Sequence, residues 1–140
     1  MPITQAMCNS YKQERFSGLH LSSHTYKMAL YTNAATLDKN TTAYSGTNEV
    51  ANGLGYATGG FTMVGFTPGL SGDVAYLDWT TDPNWAAATF TARGALIYND
   101  TLAGKNALCV IDFGADKIGG GGTFTVQLPA PGATAIIRTT

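Results

Sequence analysis

A chain of 140 residues, 44% hydrophobic, 12% charged and with a formal net charge of −1, has material for one hydrophobic core beneath a neutral, thinly charged surface. Its eight scattered Lys and Arg residues exclude the basic clusters on which binding to nucleic acid or to an anionic membrane depends. No apolar run approaches the ~18–20 residues that span a bilayer, and without the basic-then-apolar pattern of a secretory signal the mature chain is expected to begin near Met1.

The first segment, "ITQAMCNSYKQERF", places Ile3, Ala6, Met7, Tyr11 and Arg15 on one helical stripe. Pro2 suits a first turn and Gly18 a C-terminal stop, so an amphipathic α-helix is predicted up to Gly18. Residues 1–18 are read as an attachment arm and residues 19–140 as a single β-sandwich domain. The stripe of Ile3, Met7 and Tyr11 faces either its own sheet or a neighbouring subunit. His20 and His24, four apart, follow the helix stop in "LSSHTYK", which heads into a strand. Their spacing does not seat both rings on one metal, and they are expected to be solvated or interface histidines.

From Thr25 the period changes from 3.6 to 2. "TYKMALYT" alternates as a half-buried strand, and "GFTMVGF", "DVAYLDWT", "AAATFT", "GALIYN", "ALCVIDFG", "TFTVQL" and "ATAIIR" are further strand candidates. Residues 33–60 carry small polar residues without sustained periodicity and are expected to form a long excursion serving as an interaction surface. In "TFTARGALIYND", Phe90, Ala92, Gly94, Leu96 and Tyr98 fall on one face and Thr91, Arg93, Ala95 and Ile97 on the other. Arg93 is expected to hold a carboxylate, Asp112 or Asp78 within the chain or one across a subunit contact, with the intrachain pair preferred. The alternative is a bulge at Gly94 that re-aims both residues.

"NDTLAGKN" reads as a hairpin connection with Gly104 supplying a positive φ. "ALCVIDFG" is apolar on both faces apart from Asp112 and is expected mid-sheet. "KIGGGGTF" reads as a mobile loop. The count of seven or eight short strands at close spacing, with Gly and Pro turns, predicts an all-β fold: an antiparallel, jelly-roll-like β-sandwich with one N-terminal helix.

Chemistry is sparse. Cys8 and Cys109 are read as free thiols, the latter in the core. Asp78 with Asp82, and Asp112 with Asp116, could meet as acid and base, but their turn and strand-end contexts favour capping and ion pairing. Gly119–Gly122 lacks the Lys-Ser/Thr and following helix of a phosphate loop. Trp79, Trp85 and Tyr98 are expected in the core rather than on a ligand. No catalytic residue, cofactor site or metal site is assigned, and an enzymatic role is not expected.

The blocks "MPITQAMCNSYKQE", "YKMALYTNAATL", "TFTARGALIYN", "DFGADK" and "FTVQLPAPGATAIIR" together resemble a family of small structural proteins encoded by tailed bacteriophages. The resemblance implies a non-enzymatic virion component assembled in the host cytoplasm. Its partners would be the major capsid protein or other virion proteins, without direct contact to nucleic acid or membrane, and a homo-oligomer would be ordinary. Capsid decoration is the first role it suggests, with Ile3, Met7, Tyr11 and Arg93 as interface residues. A tail-, collar- or fibre-associated adaptor or host-surface binder is the second. On this reading, deleting residues 1–16 leaves a folded β domain.

Overall fold

The structure, a computed structural model, describes residues 3–139. Its strands are β1 (Ala6–Met7), β2 (Tyr26–Tyr31), β3 (Phe61–Thr62), β4 (Phe66–Ser71), β5 (Val74–Trp79), β6 (Asn84–Trp85), β7 (Thr91–Asn99), β8 (Ala107–Ile118), β9 (Phe124–Thr125) and β10 (Ile137–Thr139), with one helix, α1 (Asn9–Phe16). They form an antiparallel, sandwich-like all-β fold: a five-stranded sheet in the order β1-β8-β7-β2-β3, a three-stranded sheet β10-β5-β4 and a two-stranded pair β6-β9. The expected strand "GFTMVGF" splits into β3 and β4, and Pro68, which cannot donate to a ladder, lies on the edge strand β4.

The main sheet is buried on both sides because its two faces are covered by different things. In the β2–β7 register Met28 opposes Ile97 and Leu30 opposes Ala95, so these side chains share one face with Tyr26. The small sheet packs there: the Tyr26 ring stacks on Phe66 at 5.2 Å between centroids and meets Trp79 edge-on at 5.8 Å. The opposite face carries Tyr31, Leu96 and Tyr98. It is covered by residues 33–60, where Tyr44 stacks on Tyr98 at 4.6 Å, Tyr31 Oη donates to the Ser45 carbonyl and Tyr98 Oη to the Gly59 carbonyl. As expected, Trp79, Trp85 and Tyr98 are core residues.

The predicted excursion runs from β2 to β3 without a named strand or helix, and part of it belongs to the core. Ala35, Leu37, Val50 and Tyr56 are buried in the main core, and Glu49 ties the segment down by accepting from Tyr44 Oη, Tyr56 Oη and the Gly59 amide. Gly60 shows how closely the backbones approach: at φ +92° a Cβ there would fall on the Met28 carbonyl.

The helix is shorter than predicted. Thr4 and Cys8 donate their amides to Leu37 and Leu108, Ile3 bridges to Leu37, and Ala6–Met7 pairs with β8, so the chain is extended up to Cys8. A spacing of four put Ile3, Met7 and Tyr11 on one helical stripe in sequence, but long-range backbone pairing overrides that local period. The stop was legible: Gly18, at φ +69°, donates to the Arg15 carbonyl and Leu19 to the Glu14 carbonyl, a Schellman motif. Because β1 is an edge strand of the main sheet and Ile3, Cys8 and Tyr11 belong to its core, the expected division after residue 18 follows no break in packing.

Two turns differ from expectation. The left-handed residue of the β7–β8 hairpin is Lys105, at φ +49°, not Gly104. Nor is the four-glycine run a free loop. Gly119 and Gly121 donate to the carbonyls of Phe90 and Ala88, while Ala88 donates back to Gly122.

Candidate functional site

β8 is an interior strand, as its two-sided apolar pattern predicted, and it bulges against β7: Ala92 pairs with Lys117 but Gly94 with Asp112, leaving Phe113–Asp116 opposite Arg93 alone. Arg93 Nε donates to Asp112 Oδ1 at 3.3 Å, both side chains being about a quarter exposed. The intrachain pair and the irregularity beside Gly94, considered as alternatives in the sequence, thus occur together. A Cβ at Gly94 would sit 2.6 Å from the Ile111 carbonyl oxygen and 2.7 Å from Ile3 Cδ1. Ile3 is consequently locked inside the chain's own core, Met7 is half-buried opposite Cys109, and Arg93 has its partner at home. Of the four expected interface residues, Tyr11 lines an open cleft.

The other carboxylates are likewise claimed individually. Asp116 Oδ2 accepts from Asn33 Nδ2, and Asp82 Oδ1 accepts from the Leu128 amide, the capping role anticipated for it. Asp78 is fully buried, its Oδ1 accepting from the Trp79 amide and its Oδ2 without a partner among the described residues. Burial lifts its carboxyl above the ordinary range, against the opposing effect of the Trp79 and Ile136 amides. Cys8 and Cys109 are buried free thiols, and burial pushes Cys8 up to about 12.

His20 and His24 are partly buried rather than free in solvent. Both converge on Asn99, which is fully buried at the end of β7. The Thr101 amide donates to Asn99 Oδ1, which fixes the carboxamide. Its Nδ2 then donates to His20 Nδ1 at 3.1 Å and to His24 Nδ1 at 2.9 Å. Each acceptor Nδ1 places the ring hydrogen on Nε2, an assignment that follows from the network. His20 Nε2 donates to Glu14 Oε1 at 2.7 Å, and Glu14 Oε2 accepts from Asn106 Nδ2. Both nitrogens of His20 are thereby engaged, so the ring holds the loop and α1 against the β7–β8 hairpin rather than presenting a free base. Asn99 lies more than seventy residues from both histidines in sequence, so no local signal pointed to it.

Beside this clasp lies a cleft of about 440 Å³ between α1 and the small sheet. Its floor is the inner face of β4, β5 and β10, where Phe66, Pro68, Leu77 and Ile137 align through the register pairs Pro68–Leu77 and Leu77–Ile137. The opposite wall is Tyr11, Arg15, His20 and Leu21. Arg15 lies over the Tyr11 ring at 5.6 Å, and its buried Nε lacks a hydrogen-bond partner among the described residues. Arg138 on β10 also lines the cleft. Among the described residues neither arginine has an ion-pair partner, and no Asp or Glu lines the cleft. Leu70, continuing the Phe66–Pro68 face outward, and Leu21 remain exposed at the rim. The arrangement offers an apolar surface with the unneutralised Arg15 on one wall and Arg138 at its edge, which suits binding.

No helix among the described residues is long and apolar enough to cross a membrane. Compared with protein-family models, with curated proteins and with solved structures, the chain finds no match in any of the three.

Proposed function

We propose that this chain is a non-enzymatic structural component of a tailed-phage virion, a decoration protein that clamps the major capsid lattice. The observation that carries this reading is how the polar groups are distributed. The groups best suited to proton transfer are engaged in holding the fold, His20 by Glu14 and Asn99, Asp112 by Arg93, Glu49 by Tyr44 and Tyr56. The cleft between α1 and the small sheet, in contrast, keeps two cations and an apolar floor open to a partner. The resemblance of the sequence blocks to small phage structural proteins supplies the setting.

Repetition by lattice symmetry turns a modest contact into firm attachment, and association of copies into a closed ring would add to it. A tail- or fibre-associated host-surface binder would use the long segment of residues 33–60 as its contact surface. Part of that segment, Ala35, Leu37, Val50 and Tyr56, is committed to the main core, which leaves the cleft as the better-formed surface. Quantitative mass spectrometry of purified virions tests it. A copy number close to that of the major capsid protein supports decoration, and about a dozen copies per particle overturns it.

A further inference from the structure

We infer that the cleft between α1 and the small sheet is the docking groove for an extended partner segment that pairs apolar side chains with a carboxylate. The inference deepens the decoration reading by naming what the partner presents.

Charge complementarity selects the occupant. Arg15 lines the α1 wall of the groove and Arg138 its β10 edge, and neither is neutralised by an acid among the described residues. Arg15 Nε is a buried donor with no acceptor, although Glu14, its neighbour in the chain, is bound to His20 and Asn106. A buried donor left unpaired is costly, and a carboxylate is the acceptor that best satisfies a guanidinium. Beside the Arg15 wall the floor of Phe66, Pro68, Leu77 and Ile137 is apolar, which rejects a fully hydrated anion and accepts aliphatic or aromatic side chains.

The groove runs on past its own walls. Pro68 and Leu70 continue the same face of β4 outward, and Leu70 is 75% exposed while Leu21 on the facing wall is 49% exposed. Such an open-ended apolar strip fits a peptide segment lying across it better than a small molecule, which a binding pocket ordinarily encloses. The clasp of Asn99 on His20 and His24 gives the loop wall a fixed position, so the groove is formed before the partner arrives.

Three peptides test the groove on the full chain by 15N NMR titration, which reads backbone amides and the Arg15 Nε–H directly. Acetyl-Phe-Glu-Leu-amide carries a side-chain carboxylate, acetyl-Phe-Leu a terminal one, and acetyl-Phe-Gln-Leu-amide none. The expected result is that at least one carboxylate peptide shifts Arg15 Nε–H, Leu77 and Ile137, and binds about fivefold or more tightly than the neutral peptide. Which of the two binds tells a side-chain carboxylate from a chain terminus. Arg15→Gln and Arg138→Gln, checked for unchanged amide spectra away from the cleft, should each remove most of that preference. Equal binding of the neutral peptide, shifts mapping elsewhere, or no effect of either substitution overturns the inference.

Co-sedimentation with capsids separates it from the decoration reading. Wild-type protein and both variants sedimenting equally with capsids sinks the groove and leaves decoration standing. Wild-type protein that binds the carboxylate peptide but not capsids sinks decoration alone.

Discussion

Arg93 holds Asp112 across the β7–β8 ladder, Nε to Oδ1 at 3.3 Å, at the point where four residues of β8 stand against one of β7. Asp112 does more than neutralise the arginine. Its Oδ1 also accepts from the Gly114 amide, and its own amide donates to Gln5 Oε1, so it ties the bulge and the β1 edge together.

The two partners should therefore contribute unequally. In urea denaturation, Arg93→Ala is expected to cost less than Asp112→Ala, because only the latter also removes the acceptor for Gly114. The coupling in the double-mutant cycle should be small, about 0.5–1 kcal/mol, since both side chains are partly solvated. Equal single losses, or a coupling above about 2 kcal/mol, would contradict this account of a screened pair within a capped bulge.

Asn99 is the most demanding polar position in the core. Replacing it with Ala leaves His20 Nδ1 without its donor, leaves His24 Nδ1 only the longer contact from the Leu21 amide, and removes the acceptor for the Thr101 amide. The expected loss is about 2–4 kcal/mol of unfolding free energy, with hydrogen-exchange protection falling first in residues 19–25. A loss below about 0.5 kcal/mol would mean that the clasp is incidental.

Asp78 gives a pH dependence of defined sign. Its carboxyl is raised in the folded chain, so the folded state binds that proton more tightly than the unfolded state does. Stability from this group is present below the ordinary carboxyl value, about 4, and is lost as pH rises through the folded value. Asp78→Asn keeps an acceptor for the Trp79 amide and removes the charge. Its melting temperature relative to wild type should be least favourable near pH 4 and rise toward pH 8. A difference that stays flat across that range, or runs the other way, rules out the buried carboxyl as its source.

Removal of residues 1–16 should abolish the fold rather than release a soluble β domain. It deletes β1, Ile3, Cys8 and Tyr11 and strips the edge from β8. In the intact chain neither thiol should react with a disulfide reagent at pH 8, because Cys8 and Cys109 are buried and burial raises both. A soluble, cooperatively melting truncated protein, or rapid labelling of the native thiols, would show that the N-terminal segment is not part of the core.

Much of the fold was legible because period-2 alternation in β2, β5 and β7 is a local property of the chain, and so is the Gly18 stop. The preference for an intrachain partner of Arg93 was legible too. Strands of few polar residues leave few acids to choose from, and Asp112 is one of them. The extended course of residues 3–8 and the anchoring of residues 33–60 to the core were not legible for one reason. A spacing of four, or the lack of any period, records only what a segment's own residues do, not what lies across from them.

What the sequence determined by itself was the all-β class, the buried aromatic residues and the neutral surface, each a sum over local patterns. Only the tertiary structure decided that Ile3 belongs under Gly94, that one carboxamide serves two histidines, and that Arg15 and Arg138 line a single cleft. Those juxtapositions depend on sheet order and register, which bring together residues that long stretches of chain keep apart. They stand at no fixed spacing that a linear pattern could carry.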